Sequence, residues 1–171
     1  MGQASVSVVA GDITRVDADA LITAINSSGM WFGGIDGVIQ RAAGNLFHSQ
    51  AAEAMPLKDG GTVVAKSGSR LVKGEFENVV FVVDDLKLPL RDIVFNGLKA
   101  ASEAGFHSVS LPTIRMGVML GQVERTPEEA VGEMVEGVKK FFALPKTSLA
   151  HITFVVYNDE YTKSLLDGFF R

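Results

Sequence analysis

The chain contains no cysteine, and this absence removes several kinds of chemistry at once. Without thiols there is no disulfide, no thiolate metal site and no cysteine nucleophile. No apolar run reaches about 18 residues, the length that spans a bilayer. The first residues also lack the charged and apolar regions of a signal peptide. From these absences we expect a soluble, cytoplasmic protein.

Positive charge is also scarce. Lys and Arg number 16 against 20 Asp and Glu, which gives a net charge of −4 over 171 residues. The densest basic stretch, residues 66–73, is typical of a solvated loop. An acidic chain without a basic patch has no footprint for a phosphate backbone. We therefore expect no direct nucleic-acid binding, no membrane partner, and one monomeric domain over residues 1–171.

Several common active-site signatures are missing. The sequence has no G-x-x-x-x-G-K-[ST], no G-x-G-x-x-G and no G-x-S-x-G. His48, His107 and His151 lie far apart, without the paired spacing of metal ligands or a catalytic base. His107 and His151 each lie at the start of a predicted strand, which favours a structural role for both, and we predict no metal site and no cofactor.

Strands and helices alternate along the chain. Short apolar or β-branched runs predict strands at residues 5–10, 20–25, 62–65, 78–83, 107–111 and 152–157. Helical spacing predicts helices at residues 33–43 and 90–104, a third after the N-cap Thr126, and a short closing helix marked by Tyr161, Leu165 and Phe169. The third helix should bury Val131, Met134, Val135, Val138 and Phe142. This alternation is typical of an α/β fold, here a three-layer α/β/α sandwich around a mixed, mostly parallel sheet.

Four polar or glycine-rich segments follow predicted strands. They are residues 11–14, 26–37, 112–121 and 157–159. Each alone is compatible with ordinary turn chemistry. Open α/β sheets bind their ligands at the carboxyl ends of strands, so four such segments together favour a binding site.

These segments resemble those of the macrodomain family, in the family's order and over nearly the whole chain. The family's V-x-x-G-D-I-T is matched from Val8 to Thr14. Its N-A-A-N and glycine-rich run, ending in V-D-G-A-I-H-R-A-A-G, is matched from Thr23 to Gly44. Its P-A-I-S-T-G-V-Y-G is matched more weakly from Pro112 to Gly121. The resemblance implies a cleft that binds ADP-ribose or an ADP-ribosylated macromolecule.

The resemblance assigns the adenine end of that ligand to three residues. Asp12 would accept a hydrogen bond from the adenine amino group, and the Ile13 backbone N–H would meet a ring nitrogen. Tyr157 falls where an aromatic ring stacks on the base. A core tyrosine at the end of a strand is an equally good interpretation of Tyr157.

The resemblance places the diphosphate between two glycine-containing segments. Glycines let the backbone approach closely, and a helix N-terminus supplies N–H groups and a favourable dipole. The implied binding residues are Gly33, Gly34, Ile35 and Gly37 on one side and Gly117, Val118 and Met119 on the other.

Two functions fit the far end of the ligand. If the protein is an enzyme, Asn26 and Asp36 would be its catalytic residues, and it would hydrolyse mono-ADP-ribose linkages, O-acetyl-ADP-ribose or ADP-ribose-1″-phosphate. Asp36 would then position water rather than abstract a proton, because a helix N-terminus stabilises the carboxylate. Alternatively the domain is a non-catalytic ADP-ribose reader whose distal pocket is altered by Trp31 and Phe32.

Departures from the family pattern gather on the side of the distal ribose and diphosphate. They are Thr23 for the first asparagine, Trp31 and Phe32 for two glycines, Gln40 for a histidine, Arg115 and Met116 for Ser-Thr, and Met119 for an aromatic residue. The adenine side keeps the pattern.

Overall fold

The structure is a computed structural model that describes residues 4–25, 39, 46–55, 57–67, 76–115 and 123–170. Its strands are β1 (Ser5–Ala10), β2 (Ala18–Ile25), β3 (Thr62–Lys66), β4 (Phe76–Val83), β5 (Ser108–Leu111) and β6 (His151–Val156). Its helices within the described residues are α1 (Leu46–Ala54), α2 (Leu90–Glu103), α3 (Pro127–Phe142) and α4 (Glu160–Phe170), with a 3-10 turn at Ile13–Arg15.

The strands form one six-stranded sheet in the order β1-β6-β5-β2-β4-β3. All neighbouring pairs are parallel except β3 with β4, which is antiparallel. The predicted α/β class and the mixed, mostly parallel sheet are confirmed. Parallel strands require crossover connections. Helices α2 and α3 lie in the connections from β4 to β5 and from β5 to β6, whereas residues 11–17, with the 3-10 turn, connect β1 to β2.

Both faces of the sheet are buried. Alternate residues of β2 point to opposite sides, so Ile22 joins a core with α2 and α3 while Leu21 and Ile25 join a second core with α1. Ile39, the one described residue of the predicted helix at 33–43, is helical and fully buried in this second core. The predicted α/β/α layering is therefore present.

Several helical details differ from the sequence predictions. Helix α1 was not predicted, because its nine residues bury few side chains, chiefly Phe47, His48 and Ala51. In α3 the fully buried residue near the end is Phe141, while Phe142 is only half-buried. The 3.6-residue period drifts around the helix, so the last turn presents residue 141 to the core.

The ends of two other elements also differ. The final strand stops at Val156, one residue before the predicted end at Tyr157. Helix α4 buries Thr162 and Leu166, leaving Tyr161 and Phe169 exposed. Within the described residues, no helix combines the length and the apolar character needed to cross a membrane.

The packing of α2 on α3 yields a test. A Cβ added at Gly137 would lie 2.7 Å from the Arg91 carbonyl oxygen and 2.8 Å from the Val94 Cβ. We expect Gly137→Ala to lower the free energy of unfolding by about 1–3 kcal/mol, because the two helices must move apart.

Gly132, on the same helix, is the matched control. A Cβ there meets no described atom within 4 Å, so Gly132→Ala should be neutral or stabilising by about 0.5–1 kcal/mol through helix propensity. Urea unfolding of both variants gives the comparison, and equal losses of stability would contradict the close approach at Gly137.

Candidate functional site

The carboxyl ends of five parallel strands meet at one edge of the sheet. Because β1, β6, β5, β2 and β4 all run the same way, the residues that follow them are gathered there. Two separate groups of polar residues occupy the described part of this edge, one after β1 and β6, the other after β4 and β5.

The first group centres on Asp12, directly after β1. Its Oδ1 accepts hydrogen bonds from the Thr14 backbone N–H at 2.9 Å and from the Thr14 hydroxyl at 2.7 Å. Asp12 is thereby the N-cap of the 3-10 turn Ile13–Arg15. Its side chain remains 42% exposed, and its Oδ2 lies 3.8 Å from Arg15 Nε. The carboxylate is thus fixed in orientation while part of it faces solvent.

Gly11 fixes the direction in which the chain leaves β1. Its φ of +148° is a conformation that favours glycine. Its backbone N–H donates to the Val156 carbonyl oxygen at 3.0 Å, which extends the pairing of β1 with β6. Among the described residues, a Cβ at this position would meet nothing within 4 Å.

Tyr157 follows β6 at the same edge and is 78% exposed. This exposure excludes the interpretation of Tyr157 as a core residue. Asp159, two residues later, caps α4 by accepting from the Thr162 N–H at 3.1 Å and the Thr162 hydroxyl at 2.7 Å. Asp12 follows β1 and Tyr157 follows the neighbouring β6, so a fixed carboxylate and an exposed aromatic ring lie at the ends of two adjacent strands.

The other predicted site residues lie outside the described residues and stay predictions. These are Asn26, Gly33, Gly34, Ile35, Asp36, Gly37, Gly117, Val118 and Met119, together with Trp31 and Phe32. Thr23, which matches the family's first asparagine, is described and is buried within β2.

The second group at the edge is a buried ion cluster of Asp84, Arg115 and Glu124. The side chains of Arg115, Asp84 and Glu124 are 1%, 0% and 4% exposed. Arg115 Nε and Nη2 donate to the two carboxylate oxygens of Asp84 at 2.9 and 2.7 Å. Nη1 donates to Glu124 at 3.0 and 3.2 Å.

Charge balance explains how Arg115 stays ionised. Burial by itself lowers the pKa of Arg115, but the hydrogen bonds and negative charges of Asp84 and Glu124 outweigh it, and the pKa is raised. The guanidinium is therefore occupied by protein carboxylates. Its charge does not face an open cleft.

Sequence reasoning singled out Arg115 only as a departure from the family motif and missed its partners. The available signal was the pair Asp84-Asp85 directly after a buried strand, at the same sheet edge as Arg115. Strand order was needed to use it, because β4 and β5 lie on either side of β2.

Two further hydrogen bonds involve glutamates near the starts of helices. Glu124 also accepts a hydrogen bond from the Leu90 N–H at 3.3 Å and so serves the first turn of α2. The Tyr161 hydroxyl on α4 donates to Glu128 on α3. This hydrogen bond is the main cause that lowers the pKa of Glu128 and raises that of Tyr161.

The histidines lie away from these groups. His48 is buried in α1 with its ring 5.8 Å from that of Phe81. His151 begins β6 and its Nδ1 lies 2.7 Å from the Ser5 hydroxyl, at the opposite edge of the sheet. In the part of the chain that the structure describes, no three His, Cys, Asp or Glu residues are arranged to hold a metal ion.

The ion cluster predicts a large stability effect. Arg115→Met leaves two buried carboxylates without their cation, and we expect the free energy of unfolding to fall by about 3–5 kcal/mol. Arg91→Met is the control, since Arg91 pairs with Glu133 at 3.0 Å with half of its side chain exposed. That variant should lose less than about 1 kcal/mol. Similar losses in urea unfolding would show that the buried cluster contributes no more than a surface pair.

Comparison with known proteins places this arrangement in context. The family model described as Macro domain matches residues 22–130. A protein of Citrobacter rodentium named O-acetyl-ADP-ribose deacetylase is 31% identical over 170 residues, covering 92% of this chain and 91% of its own. A macro domain-containing protein of Streptomyces coelicolor is also 31% identical, over 163 residues, covering 90% of this chain and 91% of its own.

Solved structures share the fold. The Trypanosoma brucei macrodomain in complex with ADP aligns with a TM-score of 0.80 at 21% identity, covering 96% of this chain and 68% of its own. An Oceanobacillus iheyensis macrodomain variant with ADPR aligns with a TM-score of 0.74 at 20% identity, covering 94% of this chain and 89% of its own. The sheet and its helical layers are therefore those of these proteins.

Proposed function

Since the chain belongs to the macrodomain family, we propose that its carboxyl edge binds ADP-ribose and hydrolyses an ester on the distal ribose. The observation that supports the proposal is that a preoriented Asp12 carboxylate and the exposed ring of Tyr157 follow two adjacent strands, β1 and β6, at the same edge of the sheet. The relatives named O-acetyl-ADP-ribose deacetylase favour an acyl ester as the bond that is cleaved.

The adenine end would lie over β1 and β6. A carboxylate accepts hydrogen bonds but does not donate them, so Asp12 suits the exocyclic amine of adenine. The Thr14 contacts hold Asp12 Oδ1, and part of the side chain still faces solvent, where a base could approach. Stacking on Tyr157 would contribute about 1–3 kcal/mol.

The length of the edge suits an elongated ligand. From β1 to β4 there are four strand spacings, about 19 Å at 4.8 Å each. A compact base would fill one end only. A base joined through a diphosphate to a second ribose could extend from Asp12 toward the end of β2, where the chain enters Asn26.

The diphosphate would depend on backbone N–H groups. The charge of Arg115 is already balanced by Asp84 and Glu124, and the chain as a whole is acidic. Glycine-rich backbone at a helix N-terminus binds phosphate without a lysine or arginine. The segments at 33–37 and 117–121 have the composition for this role.

At the distal ribose, Asn26 and Asp36 would position the ester and a water molecule. Water adds to the acyl carbon, the bond between that carbon and the ribose oxygen breaks, and the products are a carboxylic acid and ADP-ribose. Asp36 would orient the water, and Asn26 would hold a ribose hydroxyl. The residues at the adenine end would supply binding energy rather than chemistry.

Binding of ADP-ribose should have a Kd in the micromolar range, about −7 to −8 kcal/mol. We expect Asp12→Asn to weaken it by about 1–3 kcal/mol, because the amide replaces an acceptor oxygen with a donor. Thr14→Val is the control, since it removes one hydrogen bond to Asp12 but keeps the carboxylate.

Calorimetry with ADP-ribose and with ribose-5-phosphate separates the two ends, because ribose-5-phosphate lacks adenine and should not respond to Asp12. An Asp12→Asn protein that stays folded and binds ADP-ribose like the parent would refute the adenine assignment.

Hydrolysis is tested by release of acetate from O-acetyl-ADP-ribose. Asn26→Ala and Asp36→Ala should each reduce kcat by about a hundredfold, or roughly 2.7 kcal/mol, the scale of a lost positioning or electrostatic group. Binding of free ADP-ribose should change far less. If the parent binds ADP-ribose but cleaves no ester-linked, phosphate-linked or acetylated form, the domain is a reader and the enzymatic part of the proposal fails.

A further inference from the structure

We propose that Arg115 is a positioning residue for this site, a role that rests on the proposed function. Its guanidinium holds the carboxyl ends of β2, β4 and β5 in one fixed arrangement. Binding of the distal part of ADP-ribose would depend on this arrangement of strand ends and not on the charge of Arg115.

The guanidinium is fully occupied. An arginine has five N–H donors, and those of Arg115 make five hydrogen bonds. Two go to Asp84 and two to Glu124. The fifth goes from Nη2 to the Leu88 carbonyl oxygen at 2.5 Å. The side chain of Arg115, which follows β5, therefore links three segments by hydrogen bonds: its own, the loop after β4 and the segment before α3.

The cluster also reaches the end of β2. Because β4 and β5 flank β2 in the sheet, a bond from Asp84 to Arg115 crosses the carboxyl end of β2. The Asp84 N–H donates to the Ile25 carbonyl oxygen at 2.6 Å. Ile25 is the residue directly before Asn26 in the sequence. The place where the chain leaves β2 is thus set by a residue that Arg115 holds.

Backbone strain marks the same cluster. Arg115 has a φ of +65° and Leu86 a φ of +63°, both in the left-handed region that side chains other than glycine rarely adopt. The Leu86 N–H donates to Asp84 Oδ1 at 2.9 Å. Such conformations persist where surrounding contacts determine them, and they gather at functional sites. A glycine at position 115 would adopt this φ without strain. The hydrogen bonds of the guanidinium, and not the backbone conformation, therefore explain why an arginine occupies this position.

Lysine cannot reproduce this geometry. The guanidinium fork meets Asp84 with two parallel N–H groups and Glu124 with a third nitrogen, whereas an ammonium offers one donor atom. Arg115→Lys therefore keeps the charge and changes the positioning. Arg91→Lys is the matched control, because Arg91 also pairs with a carboxylate, that of Glu133, but at the protein surface.

The test compares two ligands that share adenine. We expect Arg115→Lys to raise the Kd of ADP-ribose about tenfold, the scale of one lost charge-assisted hydrogen bond. The Kd of AMP, which would occupy the β1–β6 end, should stay within about twofold. Arg91→Lys should leave both unchanged. Titrations are made below the unfolding temperature of every variant, with circular dichroism confirming that each is folded.

The outcomes separate the two proposals. If Arg115→Lys lowers the melting temperature but changes neither Kd, the cluster is structural only and the inference is wrong. A parallel loss of AMP and ADP-ribose affinity would equally overturn it. If the parent binds neither ligand, the proposed function itself fails, and this inference fails with it.

A second variant covers the case in which Arg115→Lys does not fold. Glu124→Gln keeps one acceptor oxygen, which in the place of Oε2 accepts from both the Leu90 N–H and Arg115 Nη1, and it removes one buried charge. This variant should raise the Kd of ADP-ribose on the order of threefold and leave the Kd of AMP unchanged, since one of the two carboxylates still holds the guanidinium. Equal Kd values for ADP-ribose in parent and variant would again contradict the positioning role.

Discussion

Burial of β2 and β4 on both faces is the constraint on which the rest of the molecule depends. Their register pairs Ala18 with Phe76 and continues to Ile25 with Val83, and nearly every residue between is buried. Strands covered on both sides have no room for unpaired polar groups. Polar chemistry is displaced to the strand ends, and the carboxyl ends collect it because the strands are parallel.

The sequence predicted the features that depend on residues close together in the chain, but not those that depend on residues far apart. Thr126 as N-cap of α3 was predictable, since its hydroxyl accepts from the Glu129 N–H three residues later. The end of α2 was also predictable from a local signal, because glycine commonly ends a helix in a left-handed conformation, and Gly105 has a φ of +86°. The contact of Arg115 with Asp84, 31 residues away, depends on strand order, which no local pattern contains.

The residues of the candidate site also differ in whether local sequence or the fold determines their surroundings. Asp12 is oriented by a contact two residues along the chain, so the G-D-I-T motif contains the information for its orientation. The surroundings of Tyr157 required the fold, because only its exposure excludes the interpretation as a core residue. Replacing a whole buried ion cluster by well-packed apolar side chains is often neutral for stability, whereas removing one partner is costly. We therefore infer that the cluster serves to specify one arrangement of the loops around it.

The pairing of the first strand with the last has a consequence for synthesis. Ser5 pairs with His151 and Ala10 with Val156, so β1 has no described neighbour in the sheet until β6 has been made. Contacts of such sequence separation form slowly, because a long loop must close before they gain stability. The Asp12–Tyr157 end is thus assembled only after β6 has been synthesised. Until then β1 is an uncharged strand with both edges open to other chains, a state in which nascent proteins need protection from aggregation.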